Sequence, residues 1–97
     1  MSILTLQVRT RDNLLDLLSR GESGDWVVSQ EKEREIGNVE IVDFSGQQMI
    51  RARFDSESSY RLAEDNRRLV IRFADAKIVN CDVSFDSQNP VRYLPAS

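Results

Sequence analysis

Apolar and polar residues alternate along the middle of the chain. In residues 50–54 apolar side chains alternate with Arg51 and Arg53, and in residues 69–73 they alternate with Arg72. Successive side chains of a β-strand point to opposite faces of the sheet. The pattern therefore predicts a sheet with one apolar face and one face that carries arginines.

Shorter alternating or β-branched segments predict the remaining strands, at residues 4–8, 26–28, 39–44, 76–85 and 91–94. Gly46 lies in a short polar reversal that predicts a hairpin between two of these strands. Asp75 marks a weak turn or a β-bulge. Residues 86–90 are expected to form a loop, in which Pro90 has no N–H to donate to a sheet.

One helix is predicted near the start of the chain, over about residues 11–20. Thr10 or Asp12 offers a side-chain cap for its first turn. Gly21 is expected to end it, because glycine readily adopts the left-handed conformation that follows many helices. An apolar stripe runs along one side of this helix, formed by Leu14, Leu15, Leu17 and Leu18.

Residues 30–36 carry almost only charged and polar side chains. Because no apolar stripe would hold a helix against the sheet, an edge strand or a loop is favoured over a single helical turn. The pattern leaves open whether this segment is strand or loop.

Together these elements predict an α+β fold: an antiparallel, strongly curved β-sheet or open barrel of six to seven short strands with one N-terminal helix. Both the open sheet and the barrel remain as alternatives. Residues 1–97 are assigned to a single α+β domain, because no linker-like composition interrupts them. Each phenylalanine is in phase with aliphatic residues, which predicts core positions for Phe44, Phe54, Phe73 and Phe85.

The amino-acid composition excludes several kinds of chemistry. The chain has no histidine, and its one cysteine is Cys81. Ser-His-Asp and Cys-His catalysis are therefore impossible, as are zinc sites built on imidazole or on several thiolates. Its four glycines are dispersed and form no phosphate-binding loop. The sequence predicts no cofactor and no metal and favours a non-catalytic protein, with Cys81 as a buried thiol.

The charged residues predict only a modest long-range field. The net charge of −3 arises from 16 acidic and 13 basic residues, which are interspersed along the chain. No segment has the character of an export signal or the roughly 20 apolar residues of a membrane span. A cytoplasmic protein without membrane contact is expected.

Basic residues on the polar sheet face form a candidate anion-binding site: Arg51, Arg53, Arg72 and Lys77. Forked guanidinium groups match phosphate and carboxylate groups. Cross-strand ion pairs with acidic residues such as Glu40 and Asp75 are the competing explanation. Recognition of nucleic acid is disfavoured, because no aromatic residues alternate with these arginines.

The function expected from the sequence is protein–protein contact by a small non-catalytic module, with a protein partner or with a second copy as a homodimer. An edge strand or the polar sheet face would make the contact, and residues 26–29 and 91–94 are the predicted edges. The alternative is binding of an anion or a nucleic acid through the arginine-bearing face.

Overall fold

A computed structural model describes residues 3–85 and 89–95, which form a mixed, curled seven-stranded sheet and two short helices. In chain order the elements are β1 (Leu4–Thr10), α1 (Leu14–Arg20), β2 (Glu22–Val27), α2 (Gln30–Glu33), β3 (Ile36–Asp43), β4 (Gln48–Phe54), β5 (Tyr60–Arg61), β6 (Arg68–Asn80) and β7 (Val91–Pro95).

The strands are arranged in the order β2-β6-β4-β3-β1-β7, and β5 pairs with β6. The expected strong curvature is confirmed, since the sheet curls into a half-barrel. The expectation of an antiparallel sheet is wrong for one pair, because β1 and β3 are parallel. The chain between Thr10 and Ile36 contains α1, β2 and α2, which is long enough for the crossover that a parallel pair requires.

The division of β4 into two faces follows the sequence pattern. Ile50 and Phe54 are buried in the core, whereas the side chains of Arg51 and Arg53 are 56% and 66% exposed. Phe73 is paired with Phe54 on the adjacent strand and is also buried. The predicted separation of apolar and arginine-bearing faces is therefore confirmed for these strands.

Helix α1 packs against the hydrophobic core of the sheet. Leu14 and Leu17 are buried, and the helix contacts β2, β4 and β6. It lies inside the predicted range but begins later, because the Asn13 side chain, rather than Thr10 or Asp12, accepts hydrogen bonds from the first turn. Gly21 ends the helix in the left-handed conformation, as predicted. The helix follows β1, as the predicted strand at residues 4–8 implied, so it is not the N-terminal element of the fold, and Leu15 of the predicted apolar stripe is exposed to solvent.

A strand or loop was expected at residues 30–36. This expectation is wrong for the first four residues of the segment, because Gln30–Glu33 form the single-turn helix α2. None of the residues of α2 is buried, which agrees with the absence of an apolar stripe in this segment. Polar contacts hold it instead: the Ser29 hydroxyl caps its N-terminus, and Glu33 forms an ion pair with Arg61.

Strand β6 continues through the predicted bulge and ends before the predicted boundary. Asp75 has a positive φ of 56°, at the point where the register between β4 and β6 shifts. The strand ends at Asn80. Residues 81–85 are not sheet but pass the β3–β4 turn, where the Cys81 and Val83 N–H groups donate to carbonyls of that turn. The predicted loop at 86–90 lies largely outside the described residues.

The two predicted edges, in β2 and β7, lie at opposite ends of the strand order. They approach each other across an opening in the half-barrel, which we call the seam. The Ser29 N–H donates to the Tyr93 hydroxyl across it, at 2.9 Å. A cavity of about 360 Å³ lies in the seam, between Val27 and Val28 on one side and Val91 on the other.

Candidate functional site

The arginines of the predicted site all have carboxylate partners. Nε of Arg51 lies 3.6 Å from the Glu40 carboxylate, and Nε of Arg53 lies 3.2 Å from that of Asp75. Arg72 reaches the strand on the other side of β6, where its Nη1 lies 3.2 Å from the Glu22 carboxylate.

Lys77, the fourth predicted member, lies opposite Arg51 in the register and forms no ion pair within the described residues. The structure therefore places Arg51, Arg53 and Lys77 on one stretch of the face and directs Arg72 towards β2.

A row of cross-strand polar contacts explains part of this pairing. Arg92 donates through Nε to Oε1 of Gln7 at 3.1 Å, and Nε2 of Gln7 donates to Oε1 of Glu40 at 2.9 Å. Arg51 then pairs with the same Glu40 carboxylate. The row crosses β7, β1, β3 and β4 at one level of the sheet and satisfies the buried Gln7 side chain.

A second set of arginines lies on the same face, around two phenylalanines. We call it the arginine–phenylalanine cluster, formed by Arg9, Arg11, Phe44, Phe85 and Arg92. The guanidinium carbons of Arg9 and Arg11 lie 3.9 and 4.2 Å from the centroid of the Phe44 ring. Those of Arg92 and Arg9 lie 4.1 and 5.7 Å from the centroid of Phe85. Such distances are typical of cation–π contacts.

The arginines of the cluster lack the carboxylates that their counterparts on β4 have. None of Arg9, Arg11 and Arg92 forms an ion pair in the part of the chain that the structure describes. Because Arg9 and Arg11 stack on one ring, their charges are at most about 8 Å apart, where two like charges repel by roughly 0.5 kcal/mol even in water. An anion bound between the two guanidinium groups would attract both of them and offset this repulsion.

Each of these arginines retains donors for a ligand. Arg9 donates through Nε and Nη2 to the Phe44 carbonyl, and Arg92 uses the same two atoms on Gln7. A guanidinium carries five N–H donors, so both keep free Nη1 protons. The Arg11 side chain makes no hydrogen bond within the described structure, so all five of its N–H donors are available to a ligand.

The turn between β3 and β4 positions Phe44. The Asp43 carboxylate accepts hydrogen bonds from the Ser45 hydroxyl at 2.9 Å and from the Gln47 N–H at 3.0 Å. Burial raises the pKa of Asp43, but hydrogen bonds from Ser45 and from the backbone of Gln48, Gln47 and Gly46 outweigh it, so the net pKa is lowered. The ionised carboxylate thus holds the turn in shape.

This lowered pKa gives a prediction for acid stability. A carboxyl whose pKa is lower in the folded state contributes stability above its unfolded pKa and loses it as the pH falls through the folded value. We therefore expect the Asp43→Asn variant to lose less stability than the unmodified protein as the pH falls below about 4. Urea unfolding at a series of pH values measures this difference.

The matched control is Asp82→Asn, which alters an exposed carboxylate that forms no hydrogen bond in the described structure. It should leave the pH dependence unchanged. Identical pH curves for Asp43→Asn and the unmodified protein would contradict the role assigned to the Asp43 carboxylate.

Phe85 reaches the cluster because residues 81–85 pass along the same turn. The Val83 N–H donates to the Gly46 carbonyl at 2.9 Å, and the Cys81 thiol donates to the same oxygen at 3.3 Å. Burial raises the pKa of Cys81, and the carboxylates of Asp43, Glu40 and Asp82 raise it further. Cys81 is half-buried, so the expectation of a buried thiol is only partly met, and the raised pKa keeps the thiol neutral.

A cavity of about 350 Å³ adjoins the cluster at one end of the seam. Arg9, Arg11 and Phe44 line it from the side of β1 and β3, whose parallel strands end there, and Trp26 lines it from β2. The indole Nε1 of Trp26 already donates to the Ser23 hydroxyl at 3.1 Å. Trp26 therefore presents ring surface to the cavity instead of an unpaired donor.

Sequence reasoning missed this site because it assigned Phe44 and Phe85 to the core. That assignment is wrong for Phe44, which is 46% exposed, and Phe85 is only half-buried. The alternation gave a mixed signal: Phe44 is in phase with Glu40 but also with Val42, which is fully buried, so the pattern alone did not separate Phe44 from the core.

Comparisons with models of known protein families, with curated proteins and with solved structures found no match. Across residues 3–85 and 89–95, no group of three or more acidic or cysteine side chains is arranged to hold a metal ion. The helices of the same residues are too short to cross a membrane.

Proposed function

We propose that this protein is a small non-catalytic binding module that holds a phosphate-bearing anion at the arginine–phenylalanine cluster. The supporting observation is the gathering of Arg9, Arg11 and Arg92 on one face without ion-pairing carboxylates in the described residues. Guanidinium forks bind phosphate oxygens bidentately, and each of the three forks contacts a phenylalanine ring that helps to position it.

Anion binding was the alternative function expected from the sequence, but the proposed site lies at the arginine–phenylalanine cluster and not at the residues predicted first. The arginines first considered, Arg51, Arg53 and Arg72, are each neutralised by a carboxylate, so an incoming anion would have to displace a partner. The cluster requires no such exchange.

Contact with a protein through the β7 edge has less support from the backbone. The backbone N–H of Arg9 donates to the Pro90 carbonyl, and by the alternation of an antiparallel pair the N–H groups of Val91 and Tyr93 point away from β1. The Val91 N–H is already bonded to Asn89 Oδ1, and Pro95 has no N–H. Only Tyr93 is left to donate to a partner strand on this edge.

Titration with inorganic pyrophosphate, followed by calorimetry at roughly 20 and 200 mM salt, tests the proposal. We expect binding that weakens with salt and that falls by about tenfold or more in Arg11→Ala, because one charge-assisted fork is lost. Arg11 is the preferred site for the substitution, since it makes no hydrogen bond that the fold requires.

The matched control is the Arg51→Ala, Arg53→Ala double variant, which removes two charges from the same sheet. Its affinity should fall by no more than about twofold, through the long-range field alone. Loss of binding in this control but not in Arg11→Ala would transfer the site to the β4 arginines. Absence of pyrophosphate binding at low salt would refute the proposal.

A further inference from the structure

The cavity beside the cluster brings ring surfaces and guanidinium groups together. Arg9, Arg11 and Phe44 line it from one side of the seam, and Trp26 lines it from the other. Aromatic rings and guanidinium planes both stack on nucleobases, while guanidinium donors bind phosphate. The cavity therefore combines the two kinds of contact that one nucleotide needs.

We infer that the ligand of the proposed anion site is a mononucleotide. Its phosphate contacts Arg9 and Arg11, and its base enters the cavity beside Trp26 and Phe44. This inference rests on the proposed function and adds the part of the ligand that the anion alone does not specify.

The size of the cavity fits a small ligand. Its volume of about 350 Å³ is at the small end of the range of roughly 300–1,000 Å³ found for small-molecule pockets. Trp26 and Phe44 are its aromatic lining residues and lie on opposite sides of it, which fits ring contacts with one base.

The charge distribution disfavours a long nucleic acid strand. Without the three arginines of the cluster, the chain has ten basic residues against 16 acidic ones. A polymer needs phosphate contacts spread along a basic groove, and on this sheet face Arg51 and Arg53 already pair with the carboxylates of Glu40 and Asp75. A compact ligand with one phosphate group meets only the cluster.

Trp26 is the one tryptophan of the chain, so its fluorescence reports directly on the cavity. Titrations with AMP, adenosine and inorganic phosphate compare the whole ligand with its two halves. We expect AMP to change the Trp26 emission and to bind at least about tenfold more tightly than either half, because both kinds of contact contribute.

The Trp26→Leu variant tests the ring contact separately from the charge, because Trp26 lines the cavity but does not belong to the arginine–phenylalanine cluster. With calorimetry as the readout for this variant, we expect AMP binding to weaken by about fivefold to tenfold while the pyrophosphate affinity stays unchanged. The matched control is Tyr60→Leu, which alters an exposed aromatic residue that lies on β5 and does not line the cavity. It should alter neither affinity.

The remaining outcomes of these titrations distinguish failure of the nucleotide inference from failure of the anion site. Equal affinities for phosphate and AMP, with no effect of Trp26→Leu, would overturn the nucleotide and leave the arginine anion site intact. If a ten-nucleotide oligothymidylate binds far more tightly than AMP, the ligand is a single nucleic acid strand and the inference of a mononucleotide is wrong. If neither pyrophosphate nor AMP binds, the anion site and the nucleotide are both refuted.

Discussion

The Gly46→Ala variant is expected to be less stable than the unmodified protein by about 3 kcal/mol or more. Gly46 has a φ of 79°, and a Cβ atom added there would lie 2.0 Å from the Val83 carbonyl oxygen. That oxygen belongs to the backbone, so it cannot swing aside as the end of a side chain can. Urea unfolding at neutral pH measures the change in the free energy of unfolding.

Gly21→Ala is the matched control, because it separates the two causes. Gly21 also has a positive φ, of 69°, but an added Cβ would meet only an ordinary contact at 3.9 Å. Its loss of stability should be about 1 kcal/mol, the cost of the left-handed conformation alone. Equal losses at the two glycines would show that residues 81–85 yield to the new methyl group and do not lie firmly on the turn.

The Arg61→Ala variant is expected to lose about 3 kcal/mol of unfolding free energy. Arg61 donates through Nη1 to the carbonyls of Val28 and Asn66, each at 2.9 Å, and through Nε to the Glu33 carboxylate at 3.0 Å. Its side chain is only 16% exposed. Removing it leaves a half-buried carboxylate and two carbonyls without their donor, and it detaches α2 from the sheet.

The matched control for this prediction is Arg67→Ala. Arg67 forms an ion pair with Asp65 at 3.0 Å, but the Arg67 side chain is 75% exposed, so solvent screens the pair, and Asp65 keeps Arg68 as a second partner at 3.7 Å. Thermal unfolding followed by circular dichroism should show a clear drop in Tm for Arg61→Ala and little change for Arg67→Ala. Similar Tm values for the two variants would mean that Arg61 does not anchor α2.

The strands with a simple alternating pattern could be predicted from the sequence. Which strands pair with each other could be predicted only in part. Ile50 and Phe54 identified the buried face of β4, and Asp75 identified the bulge in β6. The parallel pairing of β1 with β3 could not be predicted, because alternation shows which face a residue takes but not which strand lies beside it. That choice depends on how the intervening helices and β2 cross the sheet.

Helix α2 shows a second limit of sequence reasoning. Its stability depends on Arg61, which lies 28 positions from Glu33 along the chain. A rule that looks for an apolar stripe within the segment has no access to this contact. The candidate site was misplaced for a similar reason: Phe44 was judged by its neighbours in sequence, although the turn at Asp43 carries it out of the core.

Pairing between the first and last strands has a consequence for the order of folding. Gln7 and Arg92 are 85 positions apart, and closing a chain segment of that length costs roughly 4 kcal/mol of conformational entropy. The hairpin of β3 and β4 closes a far shorter segment, so we expect β7 to dock late, after the central strands have formed. Arg92 then joins Arg9 and Phe85 only in the final steps, and an intermediate that lacks β7 would hold an incomplete basic patch.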